Sequence, residues 1–166
     1  GVTPNGIWME VDSWSPDLMT GGTRGLVMSG YNGTSSTPGV QFVTIATTGD
    51  AATFGTMNSS DRYAAGAMGD RTRALISGGA LNAPNATVAT NNISFVTMSS
   101  TGNMATFGTL QTESSMTGVK GILGNSTRGI HGGGGNANMQ YVTIQSTGNG
   151  VTFGEISVSD QRNSAF

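Results

Sequence analysis

Three stretches of the chain alternate apolar and polar residues with the period of two that a half-buried β-strand requires. They read FVTIATTGDAATFGTM from Phe42, FVTMSSTGNMATFGTL from Phe95 and YVTIQSTGNGVTFGEI from Tyr141. Their shared skeleton is an aromatic residue, V, T, M or I, two variable positions, TG, then D or N, two further positions and a closing TFG. The closing phenylalanines, Phe54, Phe107 and Phe153, are expected to pack inward.

A second block precedes each stretch: TRGLVMSG from Thr23, TRALISGG from Thr72 and TRGIHGGG from Thr127. This makes Arg24, Arg73 and Arg128 equivalent, with spacings of 49 and 55 residues. From arginine to the following aromatic the distance is 18, 22 and 13 residues, so this connection is the variable loop of a unit of about 50 residues. Internal repetition at such a period is read before any other signal, because it decides the architecture.

Each unit is predicted to hold four short strands. The first covers Ala64 to Met68, or Met116 to Ile122. The second covers Leu26 to Met28, Leu75 to Ser77 and the region of Ile130, ending in Ser29-Gly30, Gly78-Gly79 or Gly133-Gly134. The third is the FVTI segment. The turn after it is carried by Thr48-Gly49-Asp50, Thr101-Gly102-Asn103 and Thr147-Gly148-Asn149, where Gly beside Asp or Asn supplies a tight hairpin. The TFG segment is the fourth. No helical periodicity persists beyond a turn, and so much Gly, Ser and Thr disfavours helices. The fold class expected is all-β, with residues 1–166 forming a single repeat domain. Its parts are an N-terminal closing segment (1–22), repeat 1 (23–71), repeat 2 (72–126), and repeat 3 with a closing strand (127–166).

Composition narrows the function classes. Only 10% of the 166 residues are charged, Gly supplies 27 positions and the net charge is -2. Six arginines and one lysine, scattered singly, form no stripe able to neutralise a run of phosphates, so nucleic acid is not expected as a partner. With no Cys there is no disulfide framework and no thiolate chemistry. The apolar runs are far too short for a membrane span, and the N-terminus lacks the charged and apolar regions of a signal peptide.

The unit, with small paired residues after its second strand and aromatics on its third and fourth, resembles a kelch-like blade of a β-propeller. More closely, TRG…GG…YVTI…TGN…FG is similar to repeats found in tail-fibre and other virion proteins of marine bacteriophages, especially those of cyanobacteria. The resemblance covers Thr23 to Ile156. It implies a virion setting and an architectural or receptor-binding role, and it carries no catalytic residues. Three units are too few for a propeller of four to eight blades. Completion by oligomerisation or by a longer chain is therefore expected, with a β-trefoil of three units as the alternative.

Candidate chemistry is sparse. His131 is the sole histidine and occupies a strand position equivalent to Val27 and Ile76. That count rules out a multi-histidine zinc site within one chain. Asp12, Asp61 and Asp160 recur at one repeat position, which points to turns or caps. No pair of carboxylates stands out as the acid and base of a glycosidase. Asp50 gives way to Asn103 and Asn149, which favours an Asx turn over a calcium ligand. The GGGG run at Gly132 lacks the lysine and the helix of a phosphate loop. The repeated arginines, with five donors in a fixed fork, suit backbone carbonyls of neighbouring strands or units.

No catalytic residue, metal or cofactor is expected. The ligand candidates lie in the variable loops Tyr31 to Gly39, Ala80 to Asn92 and Gly135 to Asn138, namely Tyr31, Asn32, Asn82, Asn85, Asn136 and Asn138. Trp8 and Trp14, outside the regular units, offer an aromatic face to a sugar ring or to a subunit contact. The sequence is read as a non-enzymatic virion component of tail or fibre type, extracellular on the particle. Its expected partners are further copies of itself, other virion proteins or a host-surface glycan. A lectin or carbohydrate-active enzyme is the competing class.

Overall fold

The computed structural model describes residues 22–58, 62–81, 88–114, 121–133 and 137–157, and everything described is strand, turn or loop. Unit 1 forms an antiparallel sheet of β1 (Arg24–Met28), β2 (Gly39–Thr44) and β3 (Ala52–Thr56) in sequence order. Units counted from their first strands begin at the end of the preceding repeat, so the end of repeat 1 opens unit 2 and the end of repeat 2 opens unit 3. Unit 2 holds short β4 (Arg62–Tyr63), then β5 (Gly66–Gly69), β6 (Arg73–Ser77), β7 (Ala80–Leu81), β8 (Val88–Thr97) and β9 (Ala105–Ser114). Within it β5, β6, β8 and β9 pair successively and antiparallel. Unit 3 repeats the meander with β10 (Gly121–Gly124), β11 (Arg128–Gly132), β12 (Asn138–Thr143) and β13 (Val151–Glu155).

The predicted first strand of unit 2, Ala64 to Met68, corresponds to β5, which starts at Gly66. Of the one predicted in unit 3, Met116 to Ile122, only Gly121 and Ile122 lie among the described residues, at the start of β10. The second strands are β1, β6 and β11, and the third and fourth fall on their predicted segments. One expectation needs correction. Of Ala80 to Asn92, read as a loop, the described residues are sheet: Ala80 and Leu81 pair with Ala89 and Val88 at the start of the ten-residue β8, and β4 adds to β7, while residues 82–87 lie outside the described residues. Unit 2 has four more residues than unit 1 between arginine and aromatic, and β8 is extended through Val88 and Thr90, with a register shift between Thr90 and Asn92.

The paired small residues that end each second strand serve the backbone. Ser29, Gly30, Gly78, Gly79 and Gly133 all have positive φ (55°, 147°, 64°, 98° and 73°), a region that side chains with a Cβ seldom enter. Ser29 tolerates it where its hydroxyl is held by the carbonyls of Thr37 and Arg62.

The core lies between units rather than inside any one sheet. One cluster joins Val40, Phe54 and Met57 of unit 1 to Ala74, Ile76, Val96, Met98 and Met104 of unit 2. Another joins Leu75, Ile93, Phe107 and Leu110 of unit 2 to Val142 and Ile144 of unit 3. Each unit thus has a forward face, bearing the repeat arginine and the two aromatics, and a rear face set against the forward face of the unit before. Unit 2 has both covered, so β6 is buried along nearly its whole length. Its counterpart β1 is covered on one side only, and its burial is correspondingly partial.

Burial of the three closing phenylalanines follows from this. Phe54 and Phe107 are 3% and 4% exposed, but Phe153, expected to pack inward, is 49% exposed. It points forward from unit 3, where no further unit follows among the described residues.

Candidate functional site

The repeat arginines make the same two contacts in units 1 and 2. Each guanidinium lies over the third-strand aromatic of its own unit, Arg24 5.0 Å from the ring centre of Phe42 and Arg73 4.8 Å from that of Phe95. Arg128 does likewise over Tyr141 at 4.6 Å. The aromatic is in turn met edge-on by the closing phenylalanine, at 6.0, 5.9 and 6.3 Å in the three units. From this stack Arg24 Nη1 donates to Met98 O at 2.8 Å and Arg73 Nη1 to Ile144 O at 3.3 Å, in each case a backbone carbonyl of the next unit. A lysine keeps the charge but loses the plane and the fork. Arg73→Lys should therefore cost about 1–2 kcal/mol, from one weakened hydrogen bond and a poorer cation–π contact. An unchanged thermal midpoint would count against this role.

Backbone joins backbone at the same junctions. The turn following the third strand lies along the last strand of the preceding unit, so Gly102 N donates to Phe54 O and Met104 N to Thr56 O. Gly148 N and Gly150 N repeat this on Phe107 O and Thr109 O. The asparagines between them were expected to close Asx turns of their own. Their side chains reach outward instead: Asn103 Oδ1 accepts from Thr56 N and Oγ1, and Asn149 Oδ1 from Thr109 N and Oγ1. Asp50, at the same position in unit 1, is exposed.

His131 occupies the strand position expected of it and is buried at the second junction, its Nδ1 2.8 Å from the hydroxyl of Ser77. Met28 and Ile76 hold the corresponding positions at the first junction. The buried Arg62 donates to Asn92 O and Ser94 Oγ, and burial pushes its guanidinium down to about 10. It stays charged at neutral pH and ties β4 to β8 within the sheet of unit 2, whereas the His131–Ser77 contact joins unit 3 to unit 2.

Asp70 turns the chain into β6. Its Oδ1 accepts from the backbone N–H of Thr72 and Arg73, as Asn125 Oδ1 does from Thr127 and Arg128. Burial works to raise its carboxyl, but hydrogen bonds from Arg73 N, the Gln145 amide and both donors of Thr72 outweigh it, holding the group below its ordinary 3.8. A depressed acid stabilises the fold above its unfolded value and loses that contribution as pH falls through its folded value. Asp70→Asn should lower stability modestly near neutral pH, where the ionised carboxylate contributes, and flatten its loss below about pH 4. Urea midpoints across that range provide the check.

Among the ligand candidates, the Tyr31 loop is the one described in full. Asn32 Oδ1 accepts from the N–H groups of Thr34 and Ser35, Thr37 N donates to Gly30 O, and Tyr31 OH donates to Gly33 O at 2.7 Å. The loop thus spends its hydrogen bonds on itself and holds an exposed ring beside Tyr63, with ring centres 5.8 Å apart. Tyr63, in β4, was not singled out by sequence, because two residues of strand leave no periodic signal. The amide oxygen of Asn32 is used internally, leaving its N–H donors to offer a ligand.

Asn138 stands at the start of β12, well along the chain from that loop. Trp8, Trp14, Asn82, Asn85 and Asn136 lie outside the described residues, as do Asp12, Asp61 and Asp160. A hollow of about 360 Å³ between units 1 and 2 is lined by Gly22, Thr23, Arg24, Arg71, Met98 and Ser99. Arg24 there is already bonded to Met98 O, which fits it poorly for an anion. Among the described residues no three His, Asp or Glu gather as a metal site, and no helix is long and apolar enough to cross a membrane. Compared with protein-family models and with curated proteins, the chain matches no family model and no curated sequence.

Proposed function

We propose that the chain is a non-enzymatic structural and receptor-binding module of a phage virion, of tail or fibre type, that holds loops toward a host-surface glycan or other virion subunits. The three sheets are read as kelch-like blades of a β-propeller. In support, every strand of the meanders pairs within its own unit and the units meet through their faces, whereas a trefoil would draw strands of different units into one barrel. The virion setting rests on the resemblance of the repeats.

The observation that carries the binding role is the Tyr31 loop. A loop braced by its own hydrogen bonds displays a paired aromatic surface at little entropic cost. Such a ring suits the apolar face of a sugar, and the neighbouring amide and hydroxyls suit its hydroxyl groups. A glycan array probed with the chain and with Tyr31→Ala tests this, alongside an assay for released reducing sugar. Binding lost in the variant without turnover supports the proposal. Sugar release would place the chain among carbohydrate-active enzymes, and equal binding by both proteins would remove the Tyr31 loop from the site.

A further inference from the structure

The forward face of unit 3 and the rear face of unit 1 have no unit against them among the described residues. The first exposes Phe153 and Val151 beside half-buried Tyr141 and Met139; the second exposes Val27 (57%) and Ile45 (64%) beside half-buried Val43. Apolar faces of this kind on a polar surface mark an interaction site.

We propose that these faces are two halves of a third junction, formed when the forward face of unit 3 in one copy of the chain receives the rear face of unit 1 in a second copy. The chain already contains this junction twice, so its contacts can be written from the two examples. Phe153 takes the place of Phe54 and Phe107, while Val27 and Ile45 take those of Ile76 and Met98. Arg128, stacked on Tyr141, is poised for Ile45 O of the second copy, as Arg24 and Arg73 are bonded to Met98 O and Ile144 O. Gly49 N and Ala51 N of the second copy would donate to Phe153 O and Glu155 O. Gly154 keeps clear the space that Gly55 and Gly108 surrender to Gly102 O and Gly148 O; a Cβ there would meet only Met139 Cε, at 3.8 Å.

One substitution sets this junction apart. The internal junctions place an asparagine oxygen over the N–H and hydroxyl of Thr56 or Thr109. Between copies the pair is Asp50 and Glu155, two carboxylates, so the contact is weaker and reversible. Such a contact joins unlike surfaces, and two copies would satisfy both ends by closing on each other. Six units fall within the range of four to eight blades in a propeller. The ring of six rests on the blade reading; the junction itself does not.

Sedimentation velocity of the full chain over a concentration series tests the proposal. A species of two chain masses is expected, weakened about tenfold or more by Val27→Asp and by Gly154→Val, with the circular dichroism of dilute protein unchanged. Asp50→Asn with Glu155→Thr, which restores the internal pairing, should tighten association about tenfold. A double variant that stays monomeric, or a dimer indifferent to Val27→Asp and Gly154→Val, would overturn the junction. A ladder of ever larger species would overturn closure by two copies. A variant-sensitive dimer that shows no ring in low-resolution images would count against the blade reading alone.

Discussion

Phe107→Ala is expected to lower the unfolding free energy by about 3–5 kcal/mol, and Phe153→Ala by about 1 kcal/mol or less, although the two residues are equivalent in sequence. Phe107 is sealed between units 2 and 3 with Leu75, Ile93, Leu110, Val142 and Ile144. Truncation there removes the transfer energy of the ring and leaves a cavity between two sheets whose backbones are already bonded together. Phe153 keeps its edge-on contact with Tyr141 but is about half in solvent, so its loss opens no enclosed void. In an array stabilised by nearest-neighbour contacts, weakening one junction also uncouples what it joins. Urea unfolding of Phe107→Ala should therefore broaden as unit 3 melts ahead of the rest. Measurements at low chain concentration keep association out of the comparison. Equal losses for the two variants would mean that the burial difference between them does not govern stability.

The strands and turns were legible because each depends on local chemistry: alternation sets the third strand, positive φ demands the paired glycines, and TG followed by Asp or Asn marks a turn. What lies between units was less so. Repetition identifies Arg73 and Phe107 as equivalent to Arg128 and Phe153, but it treats all copies alike and does not say which copy has a neighbour. Asn103 shows the same limit from another side. Its type fits an Asx turn perfectly well, and only the approach of Thr56 from the preceding unit reveals that its oxygen is used across the junction. The ligand candidates were chosen for exposure and polarity. The structure distinguishes among those it describes: Asn32 spends its oxygen within its own loop, while Tyr63 joins Tyr31 through a short strand invisible to periodicity.

Gly108→Val should be among the most disruptive single changes, costing about 2–4 kcal/mol, whereas Gly154→Val should be nearly silent in the dilute chain. Neither glycine needs positive φ; the difference is purely one of space. A Cβ on Gly108 would strike the carbonyl oxygen of Gly148 and come within 3.0 Å of Asn149 N, both of them backbone atoms of the turn from unit 3. That turn cannot yield by rotating a side chain. It must move away as a whole, lengthening Gly148 N to Phe107 O and Gly150 N to Thr109 O and withdrawing the Asn149 amide from Thr109. Gly55→Val should act alike at the first junction, where Gly102 O makes the same approach. The measurement that separates this account from a general intolerance of valine in strands is the comparison with Gly154, which has the same TFG context and strand position but no turn across it. If Gly154→Val destabilised the dilute chain as much as Gly108→Val, strand geometry and not the junction would be the cause.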